Sequence, residues 1–72
     1  DVNKEKKDGE TPLSVAACQG NEAIVKLLID NHADVNKEDK DGWTPLYWAA
    51  YKGNEATVKL LKEHGARKKG AN

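Results

Sequence analysis

Asp41-Gly42-Trp43-Thr44-Pro45-Leu46-Tyr47-Trp48-Ala49-Ala50 decides the fold. Asp41-Gly42 is a turn pair, because glycine tolerates the positive φ that tight hairpin-like turns require. Thr44-Pro45 starts a helix. The threonine hydroxyl can cap free backbone N–H groups, and proline at the first helical position lacks an N–H that would be orphaned there. This helix is expected from Pro45 to about Lys52, with Gly53 as its stop. Asn54 is placed to cap a second helix, and Glu55 puts negative charge at its positive end. That helix is expected to reach about His64 and stop at Gly65. Leu46, Ala49 and Ala50 fall at i, i+3 and i+4, on one face. Val58, Leu61 and neighbouring Leu60 give the second helix its apolar side. The alanine pair lets two helices approach closely, as an antiparallel pair needs.

Working outward, the same text occurs 33 residues earlier. Thr11-Pro12-Leu13 precedes Thr44-Pro45-Leu46, Gly20-Asn21-Glu22-Ala23 precedes Gly53-Asn54-Glu55-Ala56, and Val25-Lys26-Leu27-Leu28 precedes Val58-Lys59-Leu60-Leu61. Asp1-Val2-Asn3-Lys4-Glu5 likewise returns as Asp34-Val35-Asn36-Lys37-Glu38, and about two-thirds of the period is identical. The first copy therefore repeats the scheme through Asp8-Gly9, Ala16, Ala17, Gly20 and Asn21. A unit of this length cannot bury its own apolar face and has to stack on a neighbour. One position breaks the symmetry, since Gly65 corresponds to His32. A left-handed backbone there costs histidine a modest steric penalty.

With 72 residues the chain holds one small domain, 1–72, with repeats at about 1–33 and 34–66 and a polar end at 67–72. A core of this size supplies ~3–5 kcal/mol. Twelve acidic and twelve basic residues cancel, which argues against a nucleic-acid partner, whose binder would show a basic stripe. Arg67-Lys68-Lys69 reads as a solubilising end. No apolar run approaches the roughly 20 residues of a membrane span, and no signal peptide is visible. The single cysteine, Cys18, excludes an internal disulfide and fits a reducing, cytoplasmic setting. Asp1 begins at the phase of Asp34, as in a piece of a longer array or one trimmed to a repeat boundary.

The period, the Asp-Gly-x-Thr-Pro-Leu opening, the Ala-Ala pair, the Gly-Asn-Glu joint, the Val-x-x-Leu-Leu helix and the Ala-Asp-Val-Asn exit together resemble the ankyrin repeat, over essentially the whole chain. The resemblance implies an all-α solenoid of stacked antiparallel helix pairs joined by hairpin-like turns. The family pattern usually reads Thr-Pro-Leu-His, where the histidine ties neighbouring turns. This chain has Ser14 and Tyr47 there; Ser14 is expected to make a shorter bond and Tyr47 to reach with its hydroxyl. The next position is Val15 in one copy and Trp48 in the other, and an indole in place of an aliphatic group overpacks the core unless its ring lies outside. Lys62, Glu63, Arg67, Lys68 and Lys69 give the C-terminal end a polar, cap-like character, while the N-terminal end opens on ordinary internal sequence. The exit also resembles substrates of asparaginyl hydroxylases, with Leu28 eight positions before Asn36 (36 − 28 = 8).

No catalytic constellation stands out. His32 and His64 lie one period apart near helix ends, which suits favourable charge at helix C-termini rather than a metal site. Cys18 has no general base or oxyanion motif beside it, and the glycines sit at turns rather than in a phosphate loop. No enzyme activity, cofactor, metal or small-molecule substrate is expected, nor a membrane association. The aromatic residues carry the sharper signal. Trp43, Tyr47, Trp48 and Tyr51 are the only aromatics and fall within nine residues, whereas their counterparts are Glu10, Ser14, Val15 and Cys18. The scaffold does not demand rings there. By the resemblance, partners are bound through turn tips and first helices, which makes Trp43, Tyr51 and Lys52 contact positions, matched in the first copy by Glu10, Cys18 and Gln19. Tyrosine and tryptophan are enriched at binding hot spots. Trp48 stays open between packing and interface, and Tyr47 reads first as a structural substitute for histidine. Lys7 and Lys40 join Lys52 and Glu10 at the rim. The expected function is a non-enzymatic protein-protein interaction module. The alternative is an engineered or consensus-like scaffold that binds a chosen target or self-associates.

Overall fold

The structure, a computed structural model, describes residues 9–67. The repeated Asp1–Glu5 segment, Lys7 at the expected rim, Asp8 of the turn pair, and Lys68 and Lys69 of the polar end lie outside the described residues. Four helices follow one another: α1 (Pro12–Gln19), α2 (Glu22–Asp30), α3 (Pro45–Tyr51) and α4 (Glu55–Glu63), with no strand among the described residues. These bounds match the helices expected from the Thr-Pro starts and the glycine stops.

All four helices end in the same way. At the end of α1, Gly20 N–H donates to Ala17 C=O and Asn21 N–H to Ala16 C=O. His32 and Ala33 bond to Ile29 and Leu28, Gly53 and Asn54 to Ala50 and Ala49, and Gly65 and Ala66 to Lys62 and Leu61. This nested pair of bonds closes a helix through one left-handed residue. That residue is glycine three times, and the fourth is His32 at φ 70. Ala33 and Ala66, one step later, fold back and are buried in the core.

The helix starts differ between copies. Thr11 accepts from Ser14 N–H (3.3 Å), and Ser14 Oγ accepts from Thr11 N–H (3.1 Å) and donates to Thr11 C=O (3.0 Å). Ser14 therefore closes a local capping box and does not tie neighbouring turns, because its side chain is too short to leave its own helix start. Thr44 has the same extended backbone but makes no such cap. Its hydroxyl donates instead to the Arg67 carbonyl. Asn54 likewise does not cap α4; its amide donates to the carbonyls of Ala17 (3.0 Å) and Cys18 (3.1 Å). In the first copy Asn21 does cap, accepting from Ile24 N–H at 3.3 Å. The same residue type caps or cross-links according to whether open carbonyls of another repeat stand opposite.

Packing completes the stack. α1 lies on α3 and α2 on α4, while each helix also packs on its own partner. The core is Leu13, Ala16, Ala17, Val25, Ala33, Leu46, Ala49, Leu61 and Ala66, drawn from both copies. Trp48 is not among these residues, so its ring avoids the overpacking that its position invited. Small alanines at the α1–α3 contact bring backbones close enough for Asn54 to reach across. A Cβ on Gly20 would stand 2.8 Å from Asn54 Cγ, so glycine is needed there for space as well as for φ. The exits are also tied: Asn36 donates to Gly65 C=O (3.2 Å) and accepts from Arg67 N–H (2.7 Å).

Candidate protein-binding surface

The aromatic cluster forms because α3 repeats every 3.6 residues. Trp43 stands just before the helix, and Tyr47 and Tyr51 follow at intervals of four, which places all three on one side. Trp43 and Tyr47 stack at 3.9 Å between ring centres with planes 16° apart, and Tyr47 and Tyr51 are again near parallel, 6.0 Å apart. Trp48 meets the column edge-on, 5.0 Å from Tyr47 and 5.9 Å from Tyr51. Offset-stacked and edge-to-face geometries are the favourable ones for aromatic quadrupoles. Tyr51 is 67% exposed, while Trp43, Tyr47 and Trp48 are half-buried.

One carboxylate organises the base of this cluster. Asp39 Oδ1 accepts from the backbone N–H groups of Asp41 (2.9 Å) and Trp43 (3.0 Å). Asp39 Oδ2 accepts from Trp48 Nε1 at 2.9 Å. Its backbone closes the turn as well, donating to Trp43 C=O (2.8 Å) and accepting from Gly42 N–H (3.0 Å). A single side chain thus fixes the turn that carries Trp43 and the rotamer of Trp48. Asp39 is not among the site residues expected from the sequence. The signal was in the comparison of copies, where Lys6 becomes Asp39 and Val15 becomes Trp48.

The first copy supplies the flank. Glu10, Ser14, Val15, Cys18, Gln19 and Trp48 line one shallow surface hollow. The indole thereby joins the second repeat's rings to Glu10, Cys18 and Gln19. Glu10 and Gln19 are exposed and Cys18 is half-buried. Lys52 is exposed at the end of α3, next to Tyr51, and Lys40 is exposed in the Asp39–Gly42 turn. The glycine before Glu10 lets the two turns touch, since a Cβ on Gly9 would lie 3.0 Å from Lys40 N. Among the described residues no group of three or more His, Cys, Asp or Glu side chains is arranged to hold a metal ion. Leu28 is half-buried, and the Asn36 side chain is engaged by Gly65 and Arg67.

A family model described as ankyrin repeats (3 copies) matches residues 1–72, the whole sequence, and the chain belongs to the ankyrin-repeat family. Members of this family generally mediate protein–protein interaction and are non-enzymatic modules. No curated protein matches the chain in sequence.

Proposed function

We propose that this chain is a non-enzymatic protein-binding module that grips its partner with the ring column Trp43–Tyr47–Tyr51 and with Trp48. Lys52 and Glu10 set charge at the rim, and Cys18 and Gln19 floor the adjoining hollow. The observation that carries the reading is the column itself: near-parallel rings with Tyr51 largely in solvent, beside a turn and a Trp48 indole that Asp39 fixes. Rings that are already ordered lose little freedom when a partner covers them. Large amphipathic rings of this kind are the usual anchors of an interface.

Replacing Trp43 and Tyr51 by alanine is the test. Capture of a partner is expected to fall at least tenfold, while circular dichroism keeps its helical signal, because neither ring belongs to the core. An unfolded double variant would make the rings structural and end this assignment. A second reading is an engineered or consensus-like scaffold whose rings meet a chosen target or one another. The near identity of the two copies, with aromatics confined to one, favours it. Association that disappears with Tyr51→Ala would support its self-pairing form.

A further inference from the structure

The junction between the two repeats has a plug and a socket. The plug is Asn54, whose amide donates to the carbonyls of Ala17 and Cys18. The socket is formed by those carbonyls and Gly20, whose missing side chain makes room for the amide. One period away both halves recur, and among the described residues neither meets a counterpart, Asn21 using its Oδ1 only to cap α2. Gly53 has φ 73 against 72 at Gly20, and no atom lies within 4 Å of the Cβ it lacks. Beside it stand the carbonyls of Ala50 and Tyr51. Asn21 has φ −85, against −84 at Asn54, and sits exposed at the opposite end of the stack.

The surroundings of plug and socket agree. Ile24 (41% exposed) and Leu27 (55%) are two of the three large exposed hydrophobics among the described residues. They lie at the end that carries Asn21, where Pro12, Val15, Ala16 and Gln19 complete a shallow hollow with Asn21 and Ile24. Their counterparts at the internal junction are Thr57, fully buried, and Leu60, half-buried. At the other end Ala50 is exposed and Val58 half-buried, while their counterparts Ala17 and Val25 are fully buried. Each end lacks what the other carries. Lys62 replaces Ile29 on the socket side, and a lysine can lay its alkyl stem along apolar surface with the ammonium at the rim.

We infer that a second copy of this chain docks head to tail. The Ala50–Gly53–Val58 face of one copy covers the Asn21–Ile24–Leu27 face of the next, with Asn21 donating to the carbonyls of Ala50 and Tyr51. The contact continues the interface already formed inside the chain. It joins two different patches, so each docking leaves an open end and the solenoid lengthens rather than closes. The rings of the column take no part, Tyr51 contributing only its backbone carbonyl, which separates this inference from the proposed partner site.

Sedimentation equilibrium from about 10 μM to about 1 mM tests it, a range that spans weak association. The wild-type mass is expected to rise with concentration past that of a dimer. Ile24→Asp, which blocks one end, and Ala50→Arg, which blocks the other, should each remain monomeric with unchanged circular dichroism. Mixed in equal amounts they should give a pair of twice the monomer mass and nothing larger, because each retains one open face. Leu27→Glu serves as the first block should Ile24→Asp lose helical signal. A wild type that stays monomeric throughout would overturn the inference. So would association that persists in either blocked variant, or that is abolished by Tyr51→Ala instead.

Discussion

His32 is the one side chain held where its three structural equivalents are glycines. Its φ of 70 matches theirs, and its N–H and that of Ala33 make the same closing bonds as at the other three helix ends. The Cβ of a non-glycine residue crowds the backbone in this region. Glycine would relieve that crowding but lose more entropy on folding, about 0.5–1 kcal/mol. The steric term, roughly 1–2 kcal/mol, is the larger. His32→Gly is therefore expected to stabilise the chain by up to ~1 kcal/mol, which for a domain this small raises the melting temperature by about 4–8 °C at most. A thermal melt checks the sign. The exposed imidazole has no part in the core, so no compensating loss of packing is expected.

At the scale of elements, the turn from Asp39 to Trp43 and helix α3 behave as one unit because Asp39 bonds to both. Asp39→Ala removes three acceptor contacts, to Asp41, Trp43 and Trp48. The expected loss is ~1–3 kcal/mol of stability, read as a lower urea midpoint. Near-ultraviolet circular dichroism should weaken as well, because the indole of Trp48 loses its fixed orientation. What the sequence revealed and what it concealed divide along the same line. Helix starts and stops were legible from Thr11-Pro12, Thr44-Pro45 and the glycines, since those preferences act over three or four residues. The roles of Asn54 and Thr44 were not. Both carry the same cap chemistry as Asn21 and Thr11, and only a neighbouring carbonyl, 23 or more residues away, redirects them. Asp39 was hidden for the same reason, because its bond to Trp48 exists only once the turn folds back over α3.

For the whole molecule, the core is shared so evenly that neither copy has one of its own. Leu13, Ala16 and Ala17 of α1 are buried against a set that includes Leu46 and Ala49 of α3. A peptide of residues 34–72 alone is expected to show little helix by circular dichroism, since helices of 7 and 9 residues are too short to persist in water without packing. Cooperative unfolding of the isolated half would contradict a shared core. The packing of α1 on α3 and of α2 on α4, with the Asn54 bridge to Ala17 and Cys18, joins the two repeats. The placement of the indoles has a practical corollary. Both tryptophans of the chain belong to the proposed binding surface, one sandwiched on a phenol and the other tethered to a carboxylate. Every photon of tryptophan emission therefore originates at that surface, and occupancy by a ligand becomes visible in untagged protein as quenching or a wavelength change.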